Sequence, residues 1–151
     1  MPVDERLVGG EGVAVVTVTP ETTADAYGNR GLAVFATPAL VALFERAAIA
    51  ALAGQLDAGQ GSVGSIVRVT HQAPTPLGGT ITARARVRSV EGSQVWFDVQ
   101  AHDGAEQVGA GEHLRIVIDE ARFMRRIEKK AAAMAASALS EARDSGEGEA
   151  Q

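Results

Sequence analysis

Three residues whose side chains are suited to acyl-transfer chemistry lie in the first half of the sequence: Thr37, Glu45 and His71. A hydroxyl, a carboxylate and an imidazole are the groups that nucleophilic and general-base catalysis uses. Each residue also has a structural interpretation. Thr37 can be a helix N-cap, Glu45 can point to water beside Arg46, and a lone strand histidine is often structural. Taken singly, the three residues leave both interpretations open.

Thr37 and Glu45 lie in one apolar stretch, residues 34–53. Thr37 followed by Pro38 predicts a helix start, with the threonine as N-cap and the proline at the first helical position; Gly54 predicts the helix end. A helix that is apolar on nearly all faces belongs inside a wrapping sheet or in an interface. A buried carboxylate there is costly unless it is paired or hydrogen-bonded, so Glu45 is a candidate functional residue.

The spacing along this helix restricts how the three residues can combine. Eight residues separate Thr37 from Glu45, which is about 12 Å along a helix axis. The two side chains are therefore not expected to touch within one helix. A histidine from a strand could lie between them, or a dimer partner could supply part of the site. Combining the three residues thus predicts a site at or near a subunit interface.

The rest of the chain alternates in the manner of β-strands and then becomes helical. In the stretch 80–88 apolar residues alternate strictly with Thr82, Arg84, Arg86 and Arg88, which is typical of a half-buried strand. We predict strands at 13–19, 64–73, 80–88, 94–102 and 107–118, with the last four forming an antiparallel meander. From residue 119 an apolar stripe at helical spacing predicts a C-terminal helix.

One long buried helix and about five antiparallel strands predict an α+β hotdog fold, in which the sheet wraps around the helix and an extra helix follows. A single curved sheet leaves an edge strand and a helix flank uncovered, so we expect a homodimer or a higher homo-oligomer. We assign residues 1–130 to the folded domain. Residues 131–151 are expected to be an alanine-rich helical extension followed by an acidic, disordered tail.

Composition excludes several functional classes. The 151 residues carry 14 basic and 19 acidic side chains, a net charge of −5 with no basic block, which argues against nucleic acid or an anionic membrane as the main partner. The absence of cysteine excludes disulfides, thiolate metal sites and a cysteine nucleophile, and we expect no metal and no cofactor. No apolar run is long enough to span a bilayer and none resembles a secretory signal, so we expect a cytoplasmic protein.

Three stretches carry a family resemblance: VFATPALVALFERAA, GSVGSIVRVTHQAPTPLG and RSVEGSQVWFDVQAHDGAEQVGAGEH. They resemble the fluoroacetyl-CoA thioesterase-like family of hotdog acyl-CoA thioesterases, and the likeness runs from about residue 13 to residue 120. The family spacing is a threonine, eight residues to a glutamate, nineteen to a glycine and seven more to a histidine. In this chain those positions are Thr37, Glu45, Gly64 and His71.

The resemblance implies hydrolysis of a short acyl-CoA thioester to a carboxylic acid and free CoA. It implies that Thr37, Glu45 and His71 are catalytic and that the backbone N–H of Gly64 holds the thioester carbonyl, where oxyanion charge develops. Glu45 would act as nucleophile or as base for water, Thr37 would orient it, activate it or attack itself, and His71 would position the carbonyl and shuttle protons. Acyl-enzyme formation and direct attack by water both remain open.

The segment before Thr37 differs from the fluoroacetyl-CoA-specific members, which carry phenylalanines there. Here Gly28 and Gly31 lie in that region, and Tyr27 and Phe35 are its only aromatic residues. We therefore expect a general short- or medium-chain acyl-CoA substrate, with Phe35 and Gly64 as substrate-binding residues. The alternative function is a non-catalytic hotdog module that binds an acyl-CoA or serves in assembly.

The arginine face of the strand at 80–88 has three interpretations. Arg84, Arg86 and Arg88 could meet the phosphates of CoA, could pair with acids on the neighbouring strand, or could form a solvated sheet face.

Overall fold

The computed structural model describes residues 5–149, with side chains through residue 146. The elements are β1 (Glu11–Thr17), α1 (Thr37–Leu52), β2 (Gln60–His71), β3 (Thr80–Glu91), β4 (Gln94–His102), β5 (Gln107–Asp119) and α2 (Glu120–Glu149). Short 3-10 turns cover Glu5–Leu7, Pro20–Thr22 and Ala24–Tyr27.

The five strands form one antiparallel sheet in the order β1-β3-β4-β5-β2. The prediction that β2 opens a four-strand meander is wrong, because β2 pairs with β5 at the far edge of the sheet. The meander has three strands, β3 to β5. The connection after β2 contains Pro74, Pro76 and Gly78, and Thr75 accepts a hydrogen bond from the N–H of Phe35. That segment packs against the loop before α1, so it does not form the tight turn that would pair β2 with β3.

Helix α1 packs one stripe of its surface into the concave face of the sheet. The buried residues of the stripe are Ala39, Leu40, Leu43, Phe44, Ala47, Ala48, Ala51 and Leu52. The inward-facing residues of β3 and β4 cover it, in the alternation that the sequence predicts. Gly12 lets β1 lie directly on the helix, because a Cβ there would collide with the backbone of Ala47 and Ala51. The opposite face of the helix is open, and Ile49 is half exposed.

The ends of α1 correct one prediction and explain another. The N-cap is Ala36, and Thr37 is the first helical residue, so Thr37 is not the predicted N-cap. The backbone N–H of Ala36 bonds to Thr22, which sets the entry of the chain and frees the threonine hydroxyl from a capping role. At the other end Gly54 has φ +73°, the left-handed conformation that commonly follows a helix end.

Helix α2 continues directly from β5 and packs against it only at its start. Phe123 is half-buried, whereas Met124, Ile127 and Met134 are exposed. The helix runs through residue 130 without interruption. The domain boundary at residue 130 and the disordered tail stay predictions, and the last two residues of that tail lie outside the described range. Within residues 5–149, neither helix combines the length and hydropathy needed to cross a bilayer.

Candidate active site

Thr37 and His71 meet where the start of α1 passes over the end of β2. The Thr37 Oγ1 atom shares a hydrogen bond of 2.8 Å with His71 Nδ1. Thr37 is solvent-exposed and His71 is half-buried, so the hydroxyl is accessible while the imidazole is held against the protein. A threonine hydroxyl bonded to an imidazole nitrogen is an arrangement in which proton transfer can activate or orient a reacting group.

The surroundings of His71 favour its neutral form. Burial lowers the pKa of His71 below the ordinary histidine value of 6.5, although a backbone hydrogen bond at Ala73 opposes the shift. The ring of Phe35 contacts the imidazole edge-on, with centroids 6.4 Å apart. Within the described chain the buried Nε2 atom of His71 has no hydrogen-bond partner. The imidazole is thus uncharged near neutral pH and can accept a proton.

A cavity of about 280 Å³ opens beside this pair. Its wall is formed by Thr37, by His71 to Pro74, and by residues of the loop before α1, which we call the lid (residues 18–35). Gly28 and Gly31 in the lid have φ of +99° and +85°, a conformation that favours glycine. The N–H of Gly31 donates to Asp25 Oδ1 at 2.8 Å, so the lid is an internally bonded turn. Phe35 is fully buried in the cavity wall.

Glu45 lies in a second cluster, further along α1. Its Oε2 atom is 3.3 Å from Nη1 of Arg115, and the side chains are 39% and 4% exposed, respectively. The carboxylate therefore pairs with a buried arginine rather than extending freely to water beside Arg46. Gly64 lies against it, because a Cβ added there would be 2.8 Å from Glu45 Oε2. Gly64 also borders the bulge in β2, where the register shifts before Ile66. The glycine thus lets the carboxylate approach the strand backbone.

Arg115 connects Glu45 to both sides of that bulge. Its Nε donates to Ser62 Oγ at 2.9 Å, and its Nη2 donates to the Ser62 carbonyl oxygen at 3.0 Å. Its Nη1 also donates to His113 Nε2 at 3.3 Å, and His113 Nδ1 donates to the carbonyl of Ile66 at 2.7 Å. Burial is the main reason that the pKa of His113 is lowered, and the charge of Arg115 lowers it further. A neutral His113 is what this bonding requires.

Sequence reasoning did not identify Arg115. His113 was not identified either, and the structure buries it against Phe97, with ring centroids 6.1 Å apart. The available signal was strand alternation: His113, Arg115 and Val117 share one face of β5, and that face points into the core. An arginine at an inward-facing position needs a buried partner, which here is Glu45.

The predicted site residues form two separate groups in one chain. Thr37 and His71 make the first group, and Glu45 and Gly64 make the second. Along β2 the seven residues between Gly64 and His71 span about 23 Å. Along α1 the eight residues between Thr37 and Glu45 span about 12 Å. The chain therefore presents a hydroxyl–imidazole pair at the end of β2 and a carboxylate–glycine pair near the middle of the strand.

The three arginines on the convex side of the sheet, Arg84, Arg86 and Arg88, differ in their contacts. Arg88 pairs with Asp98 at 2.8 Å and with Glu112 at 2.7 Å, and it stacks over Trp96. Arg84 and Arg86 make no ion pair within the described chain. Among the residues that the structure describes, no three His, Asp or Glu side chains cluster as metal ligands.

Two comparisons with known proteins show which family the chain belongs to. The family model for fluoroacetyl-CoA-specific thioesterase matches residues 18–121. The fluoroacetyl-CoA thioesterase of Streptantibioticus cattleyicolor is 44% identical over 97 residues, which cover 64% of this chain and 70% of that one. The chain belongs to the fluoroacetyl-CoA thioesterase family. The matched range contains Thr37, Glu45, Gly64 and His71, and it ends where α2 begins.

Solved structures confirm the predicted hotdog fold for this thioesterase family member. A fluoroacetyl-CoA thioesterase is 38% identical with a TM-score of 0.74, covering 82% of this chain and 96% of that one. A thioesterase superfamily member from Thermus thermophilus is 28% identical with a TM-score of 0.75, covering 87% and 98%. A hot-dog-like protein from Thermanaerovibrio acidaminovorans is 26% identical with a TM-score of 0.76, covering 83% and 94%.

Replacing Arg115 by methionine should destabilise this thioesterase fold by on the order of 2–3 kcal/mol, because buried acceptors at Ser62 and His113 would lose their donor. The free energy of unfolding from urea denaturation measures the effect. Arg88→Met is the matched control. It removes an arginine from an exposed ion-pair network and should cost less than about 1 kcal/mol. Equal losses in the two variants would show that the Arg115 network contributes no more than a surface pair.

Proposed function

We propose that this protein is an acyl-CoA thioesterase that hydrolyses a short- or medium-chain acyl-CoA to the carboxylic acid and free CoA. The reaction type follows from the family, whose curated and solved members are thioesterases. The observation that carries the proposal in this chain is the 2.8 Å hydrogen bond between Thr37 and His71 at the wall of the lid cavity. It supplies an accessible hydroxyl next to a neutral imidazole at a place where an acyl group can enter.

Each site residue has its own role in the proposed reaction. The Glu45 carboxylate attacks the thioester carbon or takes a proton from the water that attacks it, and Thr37 orients the reacting group. Both routes place negative charge on the thioester oxygen, which the Gly64 N–H stabilises. The carbon–sulfur bond then breaks and CoA leaves as the thiolate. When water attacks, its proton passes through Glu45 to neutral His71, which delivers it to the CoA sulfur; when Glu45 attacks, water afterwards hydrolyses the acyl–Glu45 anhydride and supplies the proton by the same path. Arg115 holds the Glu45 carboxylate beside Gly64.

A second copy of the chain completes this site in our proposal. The two groups of site residues lie too far apart to act together within one chain, and β2 is an unpaired sheet edge within the described structure. Antiparallel pairing of β2 with its copy about a two-fold axis, with Gly64 opposite the partner subunit's His71, would join the two groups. The open face of α1 at Ile49 supports the same dimer. The homodimer then holds two equivalent sites.

The residues of the lid favour a general short- or medium-chain acyl group as the substrate. Its glycines at positions 28 and 31 supply no side chain to the cavity, and Phe35 is buried in the wall, where it contacts His71. A threonine-to-serine variant of the related fluoroacetyl-CoA thioesterase has been solved with acetyl-CoA, and a small unsubstituted acyl group suits the cavity of about 280 Å³ here. We expect the enzyme to work in the cytoplasm, with neither nucleic acid nor membrane as a partner.

Free-thiol release from acetyl- to decanoyl-CoA, with fluoroacetyl- and phenylacetyl-CoA added, tests the reaction. We expect turnover of short or medium acyl groups and no preference for fluoroacetyl-CoA. Glu45→Gln and His71→Ala should each lower kcat at least about a hundredfold, because each removes a proton-transfer group. Glu91→Gln and His102→Ala are matched controls at exposed sites and should retain activity. Tight CoA binding without turnover of any thioester would instead favour a non-catalytic module.

The pH dependence of kcat/KM should follow the neutral form of His71. Because its pKa is lowered below 6.5, the rate should be full above that value and should fall as the pH drops through the lowered pKa. A kinetic pH profile, compared with an NMR titration of the His71 ring, measures both quantities. A fall in kcat/KM that begins well above pH 6.5 would contradict the assignment of His71 as the proton carrier.

Mixing two inactive variants tests the composite site. In a mixed dimer of Glu45→Gln and His71→Ala subunits, one site receives intact Thr37 and His71 from one subunit and intact Glu45 from the other. Random exchange makes half of the dimers mixed, each with one intact site, so about a quarter of wild-type activity should return. The variants are denatured, mixed and refolded together, with each variant refolded alone as the control. If each site comes from one chain, mixing restores nothing.

A further inference from the structure

A second cavity, of about 380 Å³, lies at the base of α2, apart from the lid cavity. Its lining residues come from the end of β5 and the first two turns of α2: Val117, Ile118, Asp119, Arg122, Phe123 and Arg126. Arg122 and Arg126 are four residues apart and therefore lie on one face of the helix. The carboxylate of Asp119 accepts a hydrogen bond from the backbone N–H of Arg122 at 2.9 Å, so it is already engaged by the first turn of the helix.

The charge around this cavity is opposite to that of the whole chain. Residues 121–130 contain five cationic side chains and one acid, in a protein of net charge −5. None of the cations at 122, 125, 126, 129 and 130 makes an ion pair within the described residues. The helix therefore presents unneutralised positive charge beside a small apolar surface formed by the half-buried side chains of Ile118 and Phe123. Phosphate groups attached to an aromatic base match that combination.

The cavity lies in line with the proposed catalytic carboxylate. Arg115, Val117 and Asp119 share one face of β5, and Arg115 contacts Glu45. Four strand residues separate Arg115 from Asp119, which is about 13 Å. An extended pantetheine arm spans such a distance between a thioester and a CoA nucleotide. The family match ends at residue 121, so nearly all of α2 lies outside the region shared with the family.

We propose that the base of α2 binds the phosphorylated nucleotide end of CoA. Arg122 and Arg126 donate paired hydrogen bonds to its phosphates, and Phe123 with Ile118 supports the adenine ring. The thioester end then extends along β5 toward Glu45 and Gly64. This assignment rests on the proposed thioesterase function. In it, α2 binds the nucleotide part of CoA, and the lid contacts the acyl group.

Calorimetric titration with CoA and with pantetheine tests the site without any turnover. The wild type should bind CoA more tightly than pantetheine. Arg122→Gln with Arg126→Gln should weaken CoA binding about tenfold or more and leave pantetheine binding unchanged, since only CoA carries the phosphates. Arg84→Gln with Arg86→Gln is the matched control: it removes the same charge from the convex face of the sheet. It should leave the affinity for CoA within about twofold of wild type.

Steady-state kinetics distinguish the nucleotide site at α2 from the proposed thioesterase function. With an acyl-CoA substrate the Arg122 and Arg126 double variant should raise KM about tenfold with kcat retained, and with the matching acyl-pantetheine it should behave as the wild type. Equal binding of CoA and pantetheine by the wild type would overturn the site, as would loss of CoA affinity in the Arg84 and Arg86 variant instead. Absence of turnover on every thioester, with the calorimetric difference intact, would overturn the thioesterase function and leave the nucleotide site standing.

Discussion

The burial of α1 against the concave face of the sheet is the constraint on which the other features depend. Its alanine- and leucine-rich stripe must face β1, β3 and β4, and this fixes the rotation of the helix about its axis. The same rotation places Thr37 over the end of β2 and Glu45 at the helix edge beside β5. Small side chains on the stripe and Gly12 on β1 allow close packing, so these positions are held rigidly.

A buried guanidinium determines what Glu45 can do. Half-exposed carboxylates on helix edges are normally solvated and contribute little, but Arg115 is almost fully buried and has its remaining donors engaged by Ser62 and His113. The pair is therefore held by the bulge in β2 as much as by charge. In the proposed mechanism, a carboxylate that is already held beside Gly64 is in place before substrate arrives, which lowers the reorganisation required in the reaction.

The sequence predicts the elements of this fold better than it predicts their assembly. Strand alternation in β3 and the apolar run of α1 identify the secondary structure, whereas Thr37, Glu45, Gly64 and His71 remain predicted site residues that the family resemblance indicates. The position of β2 beside β5 was not predictable, because pairing depends on how the long connection after His71 packs against the lid. Strand alternation marks Arg115 as inward-facing, but its contact with Glu45 joins residues 70 positions apart, and no local pattern encodes that partner.

The two sheet edges differ in how well they are protected from pairing. Strand β1 is short, seven residues, and lies directly on α1. Strand β2 has 12 residues and carries Arg68 as its only fully charged side chain, although long unpaired edges are normally blunted by charge, proline or irregularity. Its one irregularity is the bulge at Gly64, which also holds the carboxylate cluster. An edge that is long and weakly protected, with the predicted site residues Gly64 and His71 along it, is suited to pairing with its own copy. The same strand is therefore the element through which the proposed homodimer would form and the proposed site would be divided between two subunits.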